Sequence, residues 1–423
     1  MAIACLACEL ILLAVLRLAG EEYLPDGLAI TLILVFSAVF IVSINKDRTK
    51  RYIRDALSAG YIFRLALLFF DHYGRDIYSL PNSGADSEKF FRFSVGLAQG
   101  GSVDLGFFTK VMGAYFRVFG ISRLYSQFIL MLLSIVSLLF AAKILHALGL
   151  DIKRTRFSMW ILCLLPNFAI LSSIFLRESI VTMFITLSLY AYVLWIKRKK
   201  ERHFLLALVF VFLGALFHSG AVAVAGGYAL SRILYDNKTE KIKITAKNVI
   251  FAVVLLLVGI FLFNNYGDVF FGKFEGTESL SDIANQSELG GSSYAKYVGN
   301  SNNILNMVIY TVPRIVFFLF SPMPWMIRDL GDIIAFLFSS CFYLVSIISV
   351  IKYLNSKRKE NREIVIVLFI VAICAAFVFA WGTVNAGTAC RHRDKMTIVW
   401  GILLGLTNSR NSKNYCPTFY RMG

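Results

Sequence analysis

Apolar runs of about 20 residues, the length that crosses a hydrocarbon layer as a helix, recur roughly a dozen times along this chain of 423 residues. In lipid a helix satisfies its own backbone hydrogen bonds. The runs therefore predict an all-α, polytopic integral membrane protein. Composition agrees: 58% of residues are hydrophobic and 16% charged, against about 45–50% and about 25% in soluble domains. That balance excludes a soluble globular enzyme and a disordered chain.

The runs fall at 1–18, 28–44, 56–70, 122–142, 158–175, 179–196, 204–217, 221–234, 248–263, 306–320, 333–351, 364–381 and 397–406. The formal net charge is +17, but most Lys and Arg residues lie in short loops between the runs. That is a topology signal, not a nucleic-acid surface. The basic loops at 45–54, 143–156, 197–202, 236–247 and 352–362 are expected in the cytoplasm. The loops at 71–120 and 265–304, and the tips at 177–178 and 218–220, then face outward. A full crossing by 306–320 would put the basic loop 352–362 outside. The segment 306–330, with Arg314, Pro313, Pro322 and Pro324, is therefore expected to be re-entrant or interfacial on the outer side. This arithmetic predicts one membrane domain over 1–423, about 12 spans, a retained N-terminal helix and both termini inside.

The seven cysteines show no disulfide framework, and Cys5-x-x-Cys8 has no partner residues for zinc. No cytoplasmic loop exceeds about 15 residues, too short for a nucleotide-binding domain of about 50 residues or more. The G-x-x-x-x-G-K match at 267–273 is followed by Phe274 and has no strand before it, so it reads as chance.

Polar chemistry gathers on the expected outer face. Arg177-Glu178 stands where one apolar run ends and the next begins. A helix N-terminus there favours an anion; the alternative is a pair that snorkels to headgroups. His218-Ser219-Gly220 is either a turn and cap or a general base. In Asn385-Ala386-Gly387-Thr388-Ala389-Cys390-Arg391-His392-Arg393-Asp394-Lys395, cations cluster where topology disfavours them. Asp86 and Glu88 are candidates for metal binding or hydroxyl activation, or else cap a surface helix. Arg64, inside an apolar run, either pairs with Asp71 or reaches the same cavity. Arginines with a few acids and a histidine suit a phosphate or pyrophosphate ligand, which guanidinium binds bidentately.

With the segments 84–91, Leu176-Arg177-Glu178-Ser179, Phe217-His218-Ser219, Gly387-Thr388 with Arg391-His392-Arg393, and Ser321-Pro322-Met323-Pro324-Trp325, the chain resembles the Wzy-type polysaccharide polymerases. These join lipid-linked repeat units of O antigen or capsule and are similar in fold to GT-C membrane glycosyltransferases. The resemblance implies a multi-pass protein of the bacterial inner membrane with a periplasmic active site, acting on undecaprenyl-pyrophosphate-linked glycans. A chain-length regulator is the implied protein partner. It further implies that Arg177, Arg391, Arg393 and Arg314, with Glu178, His392 and Arg64 nearby, hold the pyrophosphate. His218, Asp86 or Glu88 would activate the acceptor hydroxyl. No metal motif stands out, and a metal-independent step is the expectation. An O-antigen ligase would use the same donor and the same arginines. A GT-C transferase using a polyprenyl monophosphate sugar would need an early acid, Asp26 or Asp86. A flippase would need repeated halves around a charged path, and no internal repeat is present.

Overall fold

A computed structural model of the chain describes residues 1–47, 51–236, 241–243, 292–298, 304–357 and 360–408, with positions 239, 246 and 250 besides. Nearly all of the expected span at 248–263, most of the expected outer loop 265–304 and the match at 267–273 lie outside the described residues.

The described chain is predominantly helical. Its helices are α1 Ala2–Leu18, α2 Asp26–Lys46, α3 Arg54–Tyr73, α4 Ala85–Ala98, α5 Phe107–Phe119, α6 Arg123–Ala147, α7 Ile152–Leu164, α8 Pro166–Ser173, α9 Glu178–Arg198, α10 Glu201–Phe217 and α11 Val222–Leu234. After them come α12 Ile304–Phe320, α13 Leu330–Asn355, α14 Arg362–Trp381, α15 Ala386–Asp394 and α16 Thr397–Thr407. A π-helical turn, Ala335–Ser340, interrupts α13. The described strand structure is one antiparallel pair, Tyr235–Asp236 with Lys241–Ile242.

Among the described residues five helices are long and apolar enough to cross a membrane: α2, α6, α9, α13 and α14. The pair α7 and α8 makes a sixth if its 54° bend is one broken span. Among the described residues the expected 12 spans are not reached. The physical reasons are local. The first helix and α10 have 17 residues each, and α16 has 11. Within α3 stand Arg54, Asp55, Arg64 and Asp71. The run at 158–175 is cut at Leu165, because Pro166 carries no N–H and pushes its predecessor out of the helical region. The loop at 71–120 is more ordered than expected, since it contains α4 and α5. The 306–330 segment forms most of α12, which continues through Pro313, and then a turn with a short 3-10 helix at Pro324–Met326.

The helices pack as consecutive neighbours and as a second set of distant ones. The hairpin α9–α10 packs against α6, while α11 lies along α14, and α3 along α7 and α8. Close approach is set by glycine: a Cβ on Gly60 would fall 2.7 Å from Cys163 Cβ, and one on Gly227 2.8 Å from Val371 Cα. Small residues at such contacts let helix backbones meet where lipid gives no hydrophobic drive.

The ion pairs divide between the two ends of the bundle. At one end Arg154 reaches Glu360, and Arg232 donates to Glu201 at 2.8 Å. At the opposite end lie the start of α9 with Arg177 and Glu178, the end of α10 beside His218, and the end of α14. There α15 crosses the bundle. Its first turn is fixed by Asn385, whose Oδ1 accepts from the Gly387 and Thr388 N–H groups and from Ser292 Oγ at 2.9 Å.

Candidate active site

The chain between α8 and α9 runs extended at Ile174 before turning into the new helix at Arg177. This turn buries Glu178 at the first position of α9, where the free N–H groups of the helix start favour a carboxylate. Glu178 Oε1 accepts from Arg391 Nε at 3.1 Å and from Arg391 Nη2 at 3.0 Å. Lys395 Nζ lies 3.7 Å from the same oxygen and donates to the Arg391 carbonyl at 3.3 Å. Arg391 Nη1 also holds Asp86, at the exposed start of α4. Arg177 stacks on Phe90 with its guanidinium carbon 5.6 Å from the ring centre. Three separate segments, α4, the α9 start and α15, thus converge on one guanidinium.

Charge on this cluster is tuned by burial. For Arg391 burial works against the cation, but Glu178 and Asp86 together raise its pKa. Lys395 is wholly enclosed, and burial pushes its ammonium down to about 7, with Glu178 only partly opposing. Burial likewise pushes the neighbouring Asp394 carboxyl up to about 7.

A second network holds α4 in place. Glu88 accepts from Arg123 Nη1 at 2.7 Å and from Arg75. Ser87 Oγ accepts from Arg123 Nη2 at 3.0 Å. Buried Asp71 accepts from Arg75 at 3.0 Å, from Gln127 at 2.6 Å and from the Ser83 hydroxyl. Two residues apart on α4, Asp86 and Glu88 therefore serve different partners. Among the described residues no group of three His, Cys, Asp or Glu side chains is placed to hold a metal ion.

His218 and His392 meet ring to ring, Nε2 to Nε2 at 3.1 Å, with Phe379 against both. The tautomers follow from their neighbours. The Gly220 N–H donates to His218 Nδ1 at 3.1 Å, so the proton of His218 sits on Nε2 and is donated to His392. His392 then keeps its proton on Nδ1, facing Thr383 Oγ1 at 3.0 Å. This pair ties the turn after α10 to α15.

Two arginines expected at the ligand do other work. Arg393 is fully buried and donates to the carbonyls of Phe318, Leu319 and Ser321 at 3.3, 2.9 and 2.5 Å. Its remaining nitrogens face Ser339, Ser340 and Cys390. It caps the C-terminal carbonyls of α12, where a cation suits the helix dipole. Arg64 does not pair with Asp71. It donates to Ser172 Oγ at 3.0 Å, Gly60 O at 3.1 Å and Cys163 O at 2.6 Å, bracing α3 against the α7–α8 break. Arg314 is buried with its guanidinium carbon 4.4 Å from the Trp381 ring centre. From the sequence, Lys395 stood only as one cation of the 385–395 cluster, and Arg75, Arg123 and Gln127 had no role. Lys395 had a usable signal, a lysine four residues after Arg391 opening an apolar helix.

No family model, no curated protein and no solved structure matches this chain. Among the described residues the fold is that of an all-α protein with five or six helices of membrane-spanning length and apolarity, and at one end of the bundle a buried cluster of Arg391, Lys395, Arg177 and Glu178 closed by Asp86.

Proposed function

We propose that this protein is a polysaccharide polymerase that joins undecaprenyl-pyrophosphate-linked repeat units at the periplasmic face of a bacterial inner membrane. The observation that carries the reading is the convergence of α4, α9 and α15 on Arg391. Arg391, Arg177 and Lys395 supply three cations against the two carboxylates Glu178 and Asp86. The exposed Asp86 is the removable one, and its departure frees one edge of the Arg391 guanidinium for a phosphate.

In this reading an acceptor sugar hydroxyl attacks the anomeric carbon of the donor glycan, and the lipid diphosphate leaves with the bonding electrons. Negative charge grows on the leaving group, and fixed guanidinium groups stabilise it without reorganisation. Deletion of the gene is expected to collapse the surface glycolipid ladder to core plus one repeat unit. Absence of even that single unit would sink the polymerase reading in favour of a ligase, a flippase or an earlier transferase.

The charge state of the cluster gives a pH dependence. As pH rises through about 7, Lys395 loses its proton and Asp394 gains a negative charge. Both changes lower the positive potential facing the ligand. The other charged groups around Lys395, Glu178, Arg177 and Arg391, keep their charge through this window. A glycan-linked lipid diphosphate is a diester with no group titrating there. Its affinity is therefore expected to fall across about pH 6 to 8.5, following the lost protons. Binding isotherms over that range check it, and a flat profile contradicts it.

A further inference from the structure

Three consecutive residues at the α9 start each carry a buried polar atom with no hydrogen-bond partner among the described residues: Arg177 Nε, Glu178 Oε2 and Ser179 Oγ. Glu178 and Ser179 are each 3% exposed. Buried polar atoms are almost always paired, so three adjacent ones call for a partner. The set comprises one donor, one acceptor and one hydroxyl that can do either. A phosphate does not fit it, since a carboxylate oxygen repels a phosphate oxygen. A sugar hydroxyl does, because it donates and accepts at once.

The position on the carboxylate sharpens this. Glu178 Oε1 is committed to Arg391 and Lys395, so the ligand that takes Oε2 lies beside the cations proposed to hold the diphosphate. Of the other acids near the cluster, Asp86 is engaged with Arg391 and Glu88 with Arg75 and Arg123, while Asp394, whose Oδ2 is also unpaired, accepts from Thr397 through Oδ1 on the side of the chain that meets Tyr343 of α13. His218 Nε2 is committed to His392. We propose that the first turn of α9 is the acceptor-sugar subsite, with Glu178 Oε2 as the catalytic base for the attacking hydroxyl and Ser179 Oγ binding the same sugar.

The step balances. The hydroxyl oxygen forms the bond to the anomeric carbon while the carbon–oxygen bond to the diphosphate breaks. The hydroxyl proton passes to Glu178 Oε2, and the electron pair leaves with the lipid diphosphate. Glu178 then returns its proton to solvent. This inference rests on the proposed transferase reading and names the subsite within it.

The test uses full-length protein in nanodiscs with the lipid-linked oligosaccharide that accumulates in cells lacking the gene. Elongation by wild type supports the transferase reading; no elongation overturns that reading and this inference together. Glu178→Gln keeps an oxygen for Arg391 and removes the base. It is expected to lower kcat by about 100- to 10,000-fold, with donor KM unchanged or lower because a negative charge is gone. Turnover within about threefold of wild type overturns the inference and leaves the transferase reading standing. Ser179→Ala decides the case if Glu178→Gln does not fold. Loss of one neutral hydrogen bond is expected to raise acceptor KM roughly 2- to 10-fold, with donor KM unmoved. An unchanged acceptor KM overturns the subsite.

Discussion

Replacing Arg391 with alanine is expected to lower turnover by about 100- to 1,000-fold, the usual cost of deleting one group that stabilises developing charge. Three features make this residue the sensitive one. It is held on both sides, by Glu178 and by Asp86. Its two nitrogens on Glu178 fix the plane of the guanidinium, so the remaining edge is aimed before a ligand arrives. Its removal also leaves Glu178 with a buried charge answered only by Lys395 and Arg177. Arg391→Lys should recover little, because one ammonium cannot reproduce the two-nitrogen grip. Asp86→Asn should move donor affinity the other way, since it weakens the competitor for the same guanidinium. Steady-state assays on the lipid-linked repeat unit check all three. An Arg391→Ala protein with near-normal turnover would remove the cluster from the mechanism.

The second large effect is on stability. Arg393→Ala is expected to destabilise the protein by on the order of 3–5 kcal/mol, because it strands buried carbonyls and leaves a cavity. The three carbonyls at the end of α12 lose their guanidinium donor, and Ser339 and Ser340 at the π-helical turn lose their link to α15. Arg393→Met separates volume from hydrogen bonding. It fills most of the space and donates nothing, so it should remain nearly as unstable. Thermal unfolding in detergent measures both. A stable Arg393→Met protein would show that packing, not capping, is what this arginine contributes.

Arg391 and Arg393 stand two residues apart in one short helix, and before folding nothing separates them. The helical period separates them afterwards. Arg391 turns toward the α9 start, while Arg393 turns toward the ends of α12 and the π turn of α13. Asp86 and Glu88 divide in the same way on α4. Arg64 was legible as an intramembrane cation that needs partners. Its actual partners, Ser172 and Cys163, lie about 100 residues downstream on the broken pair α7 and α8, and sequence order does not reveal such neighbours.

The sequence alone determined the helical class, because apolar runs of that length leave the backbone no other way to satisfy its hydrogen bonds in lipid. It also determined which short polar segments interrupt those runs, since each is marked by charge, proline or glycine. The tertiary structure decided the rest: which runs are long enough as single helices, where one breaks, and which charges meet. Pairings such as Arg391 with Glu178, 213 positions apart, and His218 with His392, 174 apart, are set by how the helices pack. Packing depends on side-chain shape summed over many contacts, and no local pattern in the chain carries that sum.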